Sequence, residues 1–265
     1  MIGIIRSCQP RMTGQKRKKT GGRAKVEQMP ATILKVRRSE RAAEAGSRVG
    51  DAYAALKTAI LDNIYPPGHF AAENDVAAQL GMSRTPVHEA AIRLQEEGLV
   101  EVLPRRGILV RAISSRDIRE IYELTIALES MAAEVLAARS LSPAVKKTIA
   151  RLEAETKTME TALKKNDLDK WAAADDRFHE LLTEKCGNGR LSKMASTIRD
   201  QTHRARLLTL RSRPIPVKSA PEHRAIIEAI RKGDPTAAAQ SAGAHRRRAS
   251  EVMIPLIEKF SAPNP

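Results

Sequence analysis

After Tyr53, the apolar residues Leu56, Ile60 and Ile64 recur every fourth position, the interval that stacks side chains on one face of an α-helix. Tyr65-Pro66-Pro67-Gly68 ends that pattern. A shorter helix is predicted over Ala72 to Leu80, closed by Gly81, which tolerates the left-handed backbone found just past a helix end. Ser83 then offers a hydroxyl N-cap, and Arg84 to Gly98 carries Val87, Ala91, Leu94 and Leu99 at core spacing. Two helices about the tight turn Leu80-Gly81-Met82-Ser83 make a helix-turn-helix. Val100 to Leu103 and Ile108 to Val110 are β-prone runs on either side of Pro104-Arg105-Arg106-Gly107, the pattern of a hairpin wing.

From Ser114 onward every apolar stripe has helical period. Helices are predicted over Ser115 to Ser140, Pro143 to Lys164, Asp167 to Lys185, Leu191 to Leu210, Pro221 to Lys232 and Pro235 to Phe260. Gly187-Asn188-Gly189, Pro214 with Pro216, and Gly233-Asp234-Pro235 separate them, and Pro255 is expected to kink or end the last one. The fold class is mainly α: an N-terminal winged helix-turn-helix over 51–113, then an all-helical antiparallel bundle over 114–260 and a short tail over 261–265.

Composition agrees with packed helices, since only 3% of the 265 residues are aromatic while 42% are hydrophobic. Charge changes the picture more. The chain carries a formal +15, but residues 1–50 alone hold 13 Lys/Arg against 3 Glu, whereas 51–113 is slightly acidic, with 6 cations against 8 acids. Residues 1–50 therefore have the composition of a disordered basic tail, either idle or adding non-specific phosphate contacts. Specific DNA binding has to rest on a few placed cations. Cys8 and Cys186 stand alone, without a CxxC pairing, which argues against a disulfide framework or a thiolate zinc site. No apolar run is long enough for a secretory signal or a membrane span, so a cytoplasmic protein is expected.

The run Gly81-Met82-Ser83-Arg84-Thr85-Pro86-Val87-His88-Glu89-Ala90, with Leu94, Glu97-Gly98-Leu99-Val100 and Pro104-Arg105-Arg106-Gly107, resembles the DNA-binding domain of the GntR superfamily. Asp175-Asp176-Arg177-Phe178-His179, with Glu222-His223 and Ala244-His245, resembles the helical FCD sensor domain of its FadR subfamily, and six sensor helices suggest the shorter VanR-like branch. The resemblance implies a homodimeric repressor on a palindromic operator, released by a small organic acid. His88 and Asn74 depart from it, standing where relatives usually have arginine, so no operator sequence transfers.

A helix in the major groove reads base edges from its first two turns, where Arg84, Thr85 and His88 fall, and Ser83 and Thr85 suit phosphate. At the wing tip Arg105 or Arg106 can enter the minor groove or grip the backbone, with Gly107 allowing close approach. Asp175 and His179 are four apart on one helix, and His223 and His245 fall on apolar stripes of two others. Singly, each histidine reads as a hydrogen-bonded core residue. Together, four core-facing polar side chains invite a shared divalent ion, with Zn, Ni, Mn and Fe all compatible. Thr125 and Thr202 or Arg206 are the expected lining of an effector pocket beside it. Two other readings share these residues: a metal-dependent enzyme in the bundle, and an architectural DNA binder acting through the basic tail.

Overall fold

The computed structural model describes residues 48–261; nearly all of the basic stretch at the start, and the tail beyond Ser261, lie outside the described residues. Helix α1 (Arg48–Leu61) begins the reading head, followed by a two-residue strand β1 (Phe70–Ala71), α2 (Glu73–Leu80) and α3 (Arg84–Glu96). The wing is β2 (Val100–Leu103) and β3 (Gly107–Val110). The sheet has three antiparallel strands in the order β1-β3-β2, with Ala71 opposite Ile108 and Val102 opposite Ile108 from the other side. Gly81 takes the left-handed backbone expected of it (φ +65°), its N–H returning to the carbonyls of Ala77 and Ala78. Ser83 occupies the N-cap position of α3, but its hydroxyl makes no capping bond, contrary to expectation. Leu56, Ile60, Val87, Leu94, Leu99 and Ile108 close one apolar core beneath these elements.

Six helices follow: α4 (Ser115–Ala137), α5 (Pro143–Lys164), α6 (Leu168–Glu184), α7 (Gly189–Thr209), α8 (Ser219–Lys232) and α9 (Pro235–Ser261). Caps account for several starts. Ser114 and Asp117 form a reciprocal capping box on α4, and Ser142, Asp167 and Asn188 each accept a backbone N–H from the first turn of the next helix. A second core, including Leu136, Leu152, Trp171, Phe178, Leu182, Ile226 and Ile230, fills the bundle. A third, smaller cluster of Ile113, Ile118, Tyr122, Ala205, Met253 and Ile257 joins the segment after the wing to α4, α7 and α9. Pro255 neither ends nor bounds α9; it lies on the exposed face while Met253 and Ile257 stay buried, so the missing N–H falls on the solvent side. No helix of the described residues is long and apolar enough to cross a membrane.

Candidate DNA-reading face and metal centre

On the reading head, Ser83, Arg84, Thr85 and His88 are exposed on or beside the first turns of α3. Beneath them lies Glu73, from the start of α2 and only 4% exposed. One of its carboxylate oxygens accepts from Nε of Arg84 at 2.5 Å and the other lies 2.7 Å from Nδ1 of His88. Burial works to raise the Glu73 carboxyl, but the bonds from His88 and Arg84 outweigh it and hold the group below its ordinary range. Sequence reasoning missed Glu73, although an acid at a core-facing position of a short helix was a visible signal.

Arg105 and Arg106 are exposed at the wing tip without an ion pair among the described residues, and Arg105 itself takes the left-handed backbone (φ +60°) that turns the hairpin. Gly107 is buried, and a Cβ there would collide with the carbonyl oxygen of Ala71, so the missing side chain lets β1 close on β3.

In the bundle, Asp175 and His179 of α6, His223 of α8 and His245 of α9 converge as the one such group among the described residues, all four buried. The three Nε2 atoms form a triangle with every side 3.2 Å. Asp175 Oδ1 lies 3.7 Å from His223 Nε2 and 3.9 Å from His179 Nε2. Nδ1 of His245 donates to Glu222 (2.7 Å), and Nδ1 of His179 stands 2.9 Å from Glu129, close enough for an ionic contact though poorly aligned for a hydrogen bond. Both carboxylates favour the proton on Nδ1, which turns two Nε2 lone pairs toward one another in a buried space. Uncompensated, that arrangement is repulsive. Three nitrogens ~2.1 Å from one ion, with bond angles of about 100°, would form such a triangle, so the donor set fits a divalent cation.

The electrostatics agree. Burial pushes His245 down to about 4 in spite of Glu222, and burial with the neighbouring imidazoles holds His223 well below the usual histidine range, so both are neutral ligands at pH 7. Burial works to raise Asp175, yet Arg206, His179 and His223 hold it far below the ordinary carboxylate range. Arg206 Nη2 is 2.8 Å from its Oδ2, and Ser219 donates to its Oδ1. Glu129 also receives Arg246 through both oxygens, making a buried pair that ties α4 to α9 at the edge of the centre.

The centre opens onto a cavity of about 350 Å³. Its wall includes five cations, Arg206, Arg213, Lys218, Arg246 and Arg248, against a single carboxylate, Asp175. Trp171 Nε1 and Arg213 Nε, from residues lining it, have no hydrogen-bond partner among the described residues. Thr125 and Thr202, expected to line an effector pocket, do not border this cavity. Those residues line a void of about 10 Å³, room for roughly one water, and their hydroxyls are spent on the carbonyls of Ile121 and Ile198. Arg206 borders both spaces. His203, off its helix stripe, is 4.0 Å from Asp176 and outside the cluster.

The same helix that carries Arg206 docks on the reading head. Asp200 pairs with Lys57 of α1 (2.6 Å), Gln201 donates to the Glu97 carbonyl (2.8 Å), and Arg204 donates to the Arg111 carbonyl (2.7 Å).

Residues 49–110 match the gntR family of bacterial regulatory proteins, and residues 120–248 match the FCD domain. The chain is 56% identical over 135 residues to an HTH-type transcriptional regulator of Agrobacterium vitis from the TAR-I ttuE-ttuC' intergenic region, covering 51% of this chain and 78% of that one. It is 27% identical over 199 residues to the HTH-type transcriptional repressor RspR of Escherichia coli, covering 75% and 86%. Among solved structures it is similar to E. coli McbR/YncC, with a TM-score of 0.66 at 20% identity over 82% of this chain and 100% of that one, a likeness of fold. The chain thus belongs to the gntR family of bacterial transcriptional regulators, DNA-binding proteins and not enzymes, with an FCD domain behind the reading head.

Proposed function

We propose that this regulator is a cytoplasmic, homodimeric repressor of a palindromic operator, released when a small carboxylate metabolite binds beside a divalent ion held by Asp175, His179, His223 and His245. The observation that carries the proposal is the cavity wall: Asp175 is its one acid against five cations, of which Arg213 and Lys218 have no ion pair among the described residues, and a divalent ion at the neighbouring imidazoles would add further positive charge. Such a site calls for an anion, and a carboxylate is both a metal ligand and a partner for guanidinium. The choice among Zn, Ni, Mn and Fe belongs to experiment. Repression, as against activation, draws support from the relative named as a repressor.

The DNA surface of this reading is Ser83, Arg84, Thr85 and His88 in the major groove with Arg105 and Arg106 at the wing. A single head makes few contacts, which is the physical reason for two half-sites and two copies. The route between sites is α7. An anion that draws Arg206 away from Asp175 bears on a helix whose Asp200, Gln201 and Arg204 hold the head.

The test is to select operator fragments from the source genome with the full chain, load it with each metal, and measure operator affinity with and without a panel of mono-, di- and hydroxycarboxylic acids. At least one acid should weaken operator binding tenfold or more, and Arg206→Met should blunt that response. Unchanged operator affinity with every acid, on metal-loaded protein, would sink the release mechanism.

A further inference from the structure

His88 is half exposed (50%), whereas the Glu73 carboxylate against its Nδ1 is almost wholly covered. That carboxylate is also engaged by Arg84, and the two bonds keep it ionised at neutral pH. An ionised carboxylate can only accept. The proton of the Glu73–His88 contact therefore sits on Nδ1 of the imidazole. In the neutral ring the other nitrogen, Nε2, is then a lone-pair acceptor. No described residue bonds to that Nε2, and with Nδ1 turned to the covered Glu73 it is the far edge of a half-exposed ring.

On the reading that α3 lies in the major groove, we propose that His88 reads its base pair as a hydrogen-bond acceptor, with Glu73 as the positioning residue that fixes the tautomer. The base it selects must then offer an exocyclic amine in that groove, adenine through N6 or cytosine through N4. A donor at the same place, such as arginine, selects guanine through O6 and N7. One carboxylate beneath the helix thus sets the chemical sense of the contact, and it does so without touching DNA.

The experiment is selection from a randomised duplex library by the full-length protein at pH 8, followed by deletion of single functional groups. Comparison of wild type with His88→Ala locates the base pair read by His88. Adenine or cytosine is expected there. Replacing that base by its analogue lacking only the exocyclic amine should weaken wild-type binding about tenfold, the size of one lost hydrogen bond, and leave His88→Ala unaffected. His88→Arg should enrich guanine on the same strand. In Glu73→Gln the neutral amide accepts either tautomer, so dependence on the amine should fall; the contact of Arg84, which Glu73 also holds, is set aside, and the selected positions read by the wing should persist. Sequence-selective binding that ignores the amine, or a wild-type preference for guanine lost on 7-deaza substitution, overturns this inference and leaves the groove reading standing. A wild type that enriches no sequence overturns both.

Discussion

Glu129 and Glu222 act on the histidines from behind, and their environments predict different consequences. Glu222 is partly open and its other charge partner, Arg248, is also half-buried, so Glu222→Gln should lower metal affinity about tenfold, at the low end for such supporting carboxylates. A competition titration against a chromophoric chelator reads this, and an unchanged affinity would remove Glu222 from the centre. Glu129 is buried against Arg246. Glu129→Gln should weaken the metal and, in the metal-free protein as well, cost about 3 kcal/mol by leaving a guanidinium buried without its counter-charge. A melting curve in chelator separates the two effects. Gly107→Ala brings a Cβ into the Ala71 carbonyl at a backbone angle (φ +147°) that side chains rarely adopt, so it should cost about 1–3 kcal/mol of thermal stability. The convergence of the four candidate ligands was legible because Asp175 and His179 share a turn and the other two interrupt apolar stripes. Glu129 was not, since its partners His179 and Arg246 lie 50 and 117 positions away, and no local spacing records that meeting.

At the scale of elements, helix ends were well marked in the sequence, because Ser114, Ser142, Asp167, Asn188, Gly81 and Gly233 are themselves the physical cause of starting or stopping. Strand β1 was hidden: two residues carry no periodicity, and its existence depends on β3 almost forty positions later. Pro255 does not end α9, because an exposed proline leaves the buried stripe of Met253 and Ile257 intact. Helix α7 drew attention only for the pocket it was expected to line, yet it spans from Asp200 at the reading head to Arg206 at the metal centre. Arg204 is buried there, and burial together with Arg111 lowers its guanidinium to about 10. Arg204→Met should leave metal and acid affinities within about twofold of wild type, as titration calorimetry would show, while the ratio of operator affinities with and without acid contracts several-fold. A ratio that stays intact would move the coupling to another helix.

For the molecule as a whole, the large positive charge says less than its placement. The reading head over 51–113 is slightly acidic, so its affinity for operator should come from a small number of phosphate contacts made twice. With roughly three cations per head on phosphates, log affinity against log salt should fall with a slope of about −5, and a slope near half that would indicate one head at a time. A bound metal would also act globally, since its candidate ligands come from α6, α8 and α9 and the supporting Glu129 from α4. At metal a hundredfold above its dissociation constant, removal by chelator should cost about 2.7 kcal/mol, or roughly 5–10 °C in melting temperature for a domain of this size; coincident melts with and without chelator would mean no resident ion. Trp171 has a further consequence. It is the chain's single tryptophan, it lines the cavity beside the metal ligands, and the Arg213 guanidinium sits 6.0 Å from its ring. Tryptophan emission, excited at the red edge where tyrosine does not absorb, therefore originates at the place where an effector would lodge, and unlabelled protein in a cuvette reports occupancy as an intensity change or a spectral shift.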